Sequence, residues 1–179
     1  MTQRSVPTAR WPLGRRARQS VLVVHIVSAG AWIGVDVVVA CLVLIGRTGD
    51  DRGTRALAYQ ALAEFVVAPM LLAALICLVT GVLLGVATKW GLVRYWWVLV
   101  KLVMNIVLCA LILLVLRPGM GEVRAHGDAL AAGLPAAGDV SSLVYPPTVS
   151  LTALTIAVLL SVYKPWGRIA ARRSRRTER

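Results

Sequence analysis

Charged residues are scarce in this sequence, and acidic ones are scarcer still. Lys and Arg number 20 against 8 Asp and Glu, and charged residues make up 16% of the chain, whereas a soluble domain averages about 25%. The uncharged stretches are long apolar blocks that lack the polar face of a surface helix. This composition argues against a soluble protein with buried helices and predicts a membrane protein.

Cysteine and histidine are also scarce, and their spacing indicates no metal framework. Cys41, Cys77 and Cys109 fall one on each of three apolar blocks, without a CxxC pair, so neither a disulfide nor a zinc framework is indicated. The absence of an internal repeat gives little support to a transporter. His126, the only histidine outside the blocks, lies in a polar connection, and we assign it no role.

Four apolar blocks remain, each close to the ~20 residues that cross a bilayer as a helix. They predict an all-α fold, an integral membrane four-helix bundle within residues 21–163, with spans at about 21–45, 65–87, 96–116 and 144–163. Basic tails occupy residues 1–20 and 164–179. We expect the polar connections 46–64 and 117–143 to lie outside the membrane, the longer one as a loop that follows the third span.

The basic residues are distributed unevenly between the two sides of the predicted bundle. Five lie in the N-terminal tail, two in the second connection and seven in the C-terminal tail, 14 in all, against five in the other two connections. By the positive-inside rule both termini are cytoplasmic, and the chain is a multi-pass protein of the inner (plasma) membrane. Topology and anionic lipid account for the basic tails, so the expected partner is the lipid bilayer and not nucleic acid.

Three unusual side chains share one stripe of the first block. At 100° per residue, His25, Trp32 and Asp36 fall within about 40° of one another. Ionisable groups that face lipid cost roughly 2.5–3.5 kcal/mol at mid-span, so this face is predicted to point into the bundle. For Asp36 we favour a structural role, as a protonated or fully hydrogen-bonded carboxyl, over a proton relay. Its expected neighbours are three hydroxyls of the fourth block, those of Thr148, Thr152 and Thr155.

His25 and Lys101 lie at matching depths on two helices that leave the cytoplasmic side. Each is roughly 6–8 Å inside the apolar layer at ~1.5 Å per residue, and Asn105 follows Lys101 by one turn. The small residues Gly81 and Ala157 at the same depth leave space between the helices. These positions predict a pocket between the first and third helices, with Trp32 along its deeper wall.

Two interpretations of this pocket stay open. Structurally, His25 is a neutral imidazole bonded to a backbone carbonyl, and Lys101 reaches the nearby interface. Functionally, His25 is a metal ligand, since imidazole commonly ligates haem iron, and Lys101 holds a propionate or a substrate carboxylate. With one histidine in the spans, haem b would be held by His25 alone, with Lys101, or with a methionine such as Met104. The candidate cofactor site is His25, Lys101, Trp32 and Asn105.

Short motifs in all four blocks resemble a group of bacterial four-helix membrane proteins, the HemJ-type protoporphyrinogen oxidases and the CopD-like proteins. The motifs are VVHIVSAGAWIG, APMLLAALICLVTGVLL, WWVLVKLVMNIVL and LLSVYKPWG. The resemblance implies that His25 and Lys101 are the essential pair and that His25 is associated with haem b. Where the oxidases carry an arginine- and tyrosine-bearing segment, this chain has VDVVVACLVLIG.

Three functions are therefore compatible with the sequence. The first is a haem b- or porphyrin-binding membrane protein with redox or haem-related chemistry, an oxidoreductase in the broad sense. The second is a non-enzymatic scaffold or accessory subunit whose intramembrane polar residues are structural. The third is copper or other metal handling, the weakest because no cluster of Met or His faces the exterior. Enzymatic activity and assembly into a homo-oligomer are left open.

Overall fold

The computed structural model describes residues 14–87, 95–135 and 138–163. This part of the chain forms four long helices, which confirms the predicted all-α four-helix fold. They are α1 (Arg15–Thr48), α2 (Arg52–Ala87), α3 (Trp96–Ala131) and α4 (Ser141–Tyr163), and each is long and apolar enough to cross a membrane. The C-terminal basic tail and the first 13 residues of the N-terminal tail lie outside the described residues.

The helices extend well beyond the apolar blocks, and two predicted connections are mostly helical. α2 begins at Arg52 and passes through a π-helical turn at Leu62–Val66, so little of the segment 46–64 is a connection. α3 passes through a second π-helical turn at Ile112–Leu116 and continues to Ala131. The prediction of a loop over 117–143 is therefore wrong for its first half.

These helical extensions form because each segment has an apolar face that packs on the other. Ala56 and Tyr59 of α2 are buried, as are Val123 and Leu130 of α3. The side chain of Asp51 accepts a hydrogen bond from the backbone N–H of Thr54 and so caps the start of α2. A few apolar residues within a mainly polar segment are compatible with both a loop and an amphipathic helix. Here the segment is helical because a second segment is present on which its apolar face can pack.

The four helices form a ring in chain order. α1 packs against α2 and α4, and α3 also packs against α2 and α4, so α1 and α3 lie diagonally opposite each other. The centre is filled by a cluster of buried side chains that includes Trp32, Val39, Ala74 and Leu108. The outer faces carry many exposed apolar side chains, such as Phe65 and Leu114. Such a surface suits a lipid environment, because exposed apolar patches of this extent are rare on soluble proteins.

Candidate functional site

His25 contacts α2 through one nitrogen of its ring. Its Nδ1 lies 3.1 Å from the carbonyl oxygen of Cys77 and 3.0 Å from Oγ1 of Thr80. Thr80 itself donates its hydroxyl proton to the carbonyl oxygen of Ile76, at 2.6 Å. Since the Thr80 proton is thus engaged and a carbonyl only accepts, Nδ1 of His25 is the donor in both contacts. The neutral imidazole therefore carries its proton on Nδ1 and a lone pair on Nε2.

The imidazole lies directly against the backbone of α2. A Cβ added to Gly81 would lie 3.2 Å from Cε1 of His25, so a side chain at that position would press on the ring. The space that Gly81 was expected to leave for a cofactor is occupied by the ring of His25 itself. The absence of a side chain at position 81 is what allows α1 and α2 to approach closely at this depth.

A small group of polar side chains surrounds the buried thiol of Cys77. Sγ of Cys77 is 3.8 Å from Nδ1 of His25, and the thiol interacts electrostatically with the side chains of Ser28 and Asn105. Oδ1 of Asn105 in turn accepts a hydrogen bond from Sγ of Cys109, at 3.4 Å. Asn105 is therefore linked to the surroundings of His25 through Cys77, as part of a polar group shared by α1, α2 and α3.

Lys101 forms a hydrogen bond to α4, and its charge also acts on the ring of His25 and on the thiol of Cys77. Its Nζ donates to Oγ of Ser161 on α4, at 2.8 Å, and lies 4.7 Å from the centre of the Trp97 ring. His25 thus contacts α2, whereas Lys101 contacts α4 and an aromatic ring of its own helix. The sequence placed both residues in one pocket between α1 and α3, and the structure gives them different partners.

Trp32, the fourth predicted site residue, belongs to the hydrophobic core. Its side chain is completely buried, and its indole Nε1 has no hydrogen-bond partner among the described residues. An indole N–H usually finds a partner when it is buried. The expected position inside the bundle is correct, but the ring is enclosed by apolar side chains of the core.

Asp36 lies at a second polar position, deeper in α1. Its side chain is completely buried, and its Oδ2 accepts a hydrogen bond of 2.6 Å from the hydroxyl of Ser150 on α4. Its other oxygen, Oδ1, has no partner within the described parts of the chain. The expectation that Asp36 faces helix 4 is confirmed. Of the two expected states, a protonated or a fully hydrogen-bonded carboxyl, the second is not met by the described contacts.

The hydroxyl partner of Asp36 was predicted incorrectly. Thr148 and Thr155 donate to carbonyl oxygens of their own helix, and they and Thr152 are exposed. Ser150 lies on the opposite face of α4 from the three threonines and is buried. The threonine spacing correctly groups three hydroxyl groups on one face of α4, but that face is exposed. The hydroxyl of Ser150 points inward instead, and the sequence alone does not show which face of the helix is buried.

A cavity of about 390 Å³ reaches Asp36 from the end of the bundle at which α1 terminates. Ser150, Val149 and Leu143 of α4 line it, together with Leu108 and Met120 of α3. Neither the cavity nor Ser150 was predicted, because the sequence does not show how far two helices separate.

Two further observations bear on metals and on His126. Among residues 14–87, 95–135 and 138–163, no three His, Cys, Asp or Glu side chains form a group that would hold a metal ion. His126, expected to be solvated in a loop, is buried in α3, where its ring meets that of Tyr59 edge to face at 4.8 Å. It packs the α2–α3 contact.

The fold and these two positions define a class: an all-helical protein with four helices able to cross a membrane and ionisable groups enclosed between them. Comparison with family models, with curated proteins and with solved structures gives no match to this chain.

Proposed function

We propose that this chain is a multi-pass protein of the inner membrane, with both termini in the cytoplasm, that binds haem b or a related porphyrin through His25. The excess of basic residues in the tails and in the second connection supports the orientation. The observation that carries the haem proposal is the pair of contacts that hold Nδ1 of His25 against α2, which in a neutral ring leaves the lone pair on Nε2.

This arrangement is the one that iron-ligating histidines adopt. A histidine that binds a metal through one nitrogen usually donates the other N–H to a carbonyl, a carboxylate or water, which fixes the ring and raises its basicity. The carbonyl of Cys77 and the hydroxyl of Thr80 have that role here. No hydrogen bond to Nε2 occurs in the described part of the chain, so this nitrogen would be the one to bind the iron.

The other predicted site residues have lesser parts in this proposal. The contact of Lys101 with Ser161 favours ligation by His25 without Lys101; the lysine would serve as a cation for a propionate. Asn105 would act through Cys77, and Trp32 would contribute only as a buried residue of the core. When bound, haem b would supply one-electron redox chemistry. The chain's own contribution would be to hold the ligating nitrogen of His25, to exclude water and to supply the cation of Lys101.

A visible spectrum tests this proposal. The full chain, purified in detergent and titrated with haem, is expected to show a Soret band that saturates at a fixed ratio of haem to protein. His25→Asn is the decisive variant, because its amide retains a donor close to the position of Nδ1 but has no counterpart of Nε2. We expect it to lose the Soret band while helical content, measured by circular dichroism, stays at the wild-type level.

A structural role for His25 is the second candidate, and the contact with Gly81 favours it. A ring that fills the gap beside a glycine and bonds to the facing helix joins α1 to α2 without any ligand. The wild-type spectrum separates the two functions. If no saturable Soret band forms, the haem proposal is wrong and His25 is a structural link in a non-enzymatic membrane protein.

A further inference from the structure

The cavity beside Asp36 has the features of a binding site separate from His25. At about 390 Å³, its volume falls within the range of roughly 300–1,000 Å³ that small-molecule sites occupy. Most of its wall is apolar and comes from α3 and α4. The carboxyl group of Asp36 is completely buried, and one of its oxygens has no hydrogen-bond partner among the described residues, so it is a polar group of the kind that orients a ligand.

The charged residues that line the cavity, within the described part of the chain, are all acidic. Asp36 lines its inner part and Glu122 and Asp139 line it elsewhere, whereas no Lys, Arg or His is among its lining residues. Asp139 is held by the backbone N–H of Ser141, at 2.8 Å, and this hydrogen bond lowers the pKa of the Asp139 carboxyl. Arg47 also acts on this carboxyl. Asp139 is therefore ionised at neutral pH, and the acidic lining favours a cation over an anion inside the cavity.

The wall of the cavity includes an irregular part of α3. The π-helical turn Ile112–Leu116 contributes Ile112, Val115 and Leu116 to the lining. Such turns insert an extra residue into a helix and occur frequently at functional sites. The turn lines the same cavity as Asp36, and it is a second feature, independent of Asp36, that distinguishes this wall from a regular helix contact.

We propose that this cavity binds a lipophilic organic cation, a protonated amine attached to an apolar body, with the ammonium group on Oδ1 of Asp36. The amine supplies the donor that this oxygen lacks, while the hydroxyl of Ser150 continues to hold Oδ2. The apolar body contacts the leucine and valine side chains of α3 and α4. An ammonium also compensates the charge of a carboxylate that no described cation contacts in this cavity.

A pair of ligands that differ only in charge tests the class of ligand. Amantadine carries an ammonium on a compact apolar cage, and adamantanol carries a hydroxyl on the same cage. Binding to the full chain in nanodiscs of neutral lipid is measured by calorimetry, with empty nanodiscs subtracted. We expect saturable binding of the amine, at least tenfold tighter than that of the alcohol. Equal affinities would overturn the assignment to cations, and no saturable binding of the amine would overturn the site.

Three variants then locate the site. Asp36→Asn should lower the affinity for the amine about tenfold or more, to the level of the alcohol. Gly119 lines the cavity, and a Cβ there meets no atom within 4 Å, so Gly119→Leu should fill the space and abolish binding. Gly121 has equally open surroundings but does not line the cavity, so Gly121→Leu should bind as the wild type does. Should Asp36→Asn fail to fold, the two glycine variants still decide: equal binding by both places the amine elsewhere.

Discussion

His25 and Asp36 share one stripe of α1 and yet contact different helices. His25 donates to α2, whereas Asp36 accepts from Ser150 of α4. Eleven residues separate them, which corresponds to about 16 Å along a helix. The side chain of one residue cannot reach the other, so the two ionisable groups lie at two separate positions. A substitution of His25 should therefore leave the contacts of Asp36 intact, and the reverse should also hold.

The hydrogen bond between Ser150 and Asp36 leads to a stability prediction. Ser150→Ala removes the one described donor to Asp36 and leaves a completely buried carboxyl without a protein partner. We expect a loss of about 1–3 kcal/mol in the free energy of unfolding, measured in detergent by denaturant titration. Thr148→Ala is the control, because Thr148 is exposed and bonds only to its own helix. Equal losses in the two variants would contradict the role given to Ser150.

At the scale of the element, the glycines of α1 differ sharply in their surroundings. Gly30 and Gly34 form a small-residue motif that commonly marks a helix contact, but a Cβ at either position would meet nothing within 4 Å. Gly46, which belongs to no such motif, is in tight contact: its Cβ would lie 2.8 Å from the Tyr59 ring. The close approach of α1 to the extension of α2 therefore depends on Gly46, and the motif face is open in the single chain.

Two alanine substitutions in α1 should have opposite effects on stability. Gly46→Ala forces the buried Tyr59 ring to move, and overpacking of this kind costs about 1–3 kcal/mol. Gly34→Ala adds a methyl group in open space and should stabilise the helix by about 0.5–1 kcal/mol. Thermal unfolding in detergent, followed by circular dichroism, measures both. A marked loss of stability in Gly34→Ala would show that this face is packed, most simply against a second copy of the chain.

At the scale of the whole molecule, arginine side chains form hydrogen bonds to backbone carbonyls at the end of the bundle that carries the α1–α2 and α3–α4 connections. Arg47 donates to the carbonyl of Ser141, Arg52 to that of Gly133 and Arg55 to that of Gly46. Arg124 pairs with Glu64 on the surface. Arg47 and Arg52 thereby link segments that are distant in sequence, and four of the five basic residues at this end have a partner among the described residues.

Reporter fusions test the orientation of the bundle. Alkaline phosphatase fused after Asp50 or after Leu134 is expected to be active, because both positions would lie outside the cytoplasm. A fluorescent protein fused to the end of the full chain is expected to fluoresce, as it does only when it folds in the cytoplasm. Inactive phosphatase at both positions, together with a dark C-terminal fusion, would reverse the topology.

The sequence by itself determined the helical class, the number of helices and the inward direction of Asp36. These follow from local properties: the length of the apolar blocks and the helical periodicity that places His25, Trp32 and Asp36 on one stripe. The same periodicity was present in the extensions of α2 and α3, but there the apolar residues are too sparse to predict a helix without the surface that buries them.

Only the tertiary structure decided which side chains meet. Depth along a helix comes from counting residues, and it correctly aligned His25 with Gly81, but the rotation of each helix about its axis is set by packing between helices. Because of that rotation, His25 contacts Thr80 and Cys77, and Lys101 contacts Ser161. Asp36 contacts Ser150 and not the threonines. The cavity depends on the distance between α3 and α4. That distance results from many side-chain contacts together, and no single sequence motif encodes it.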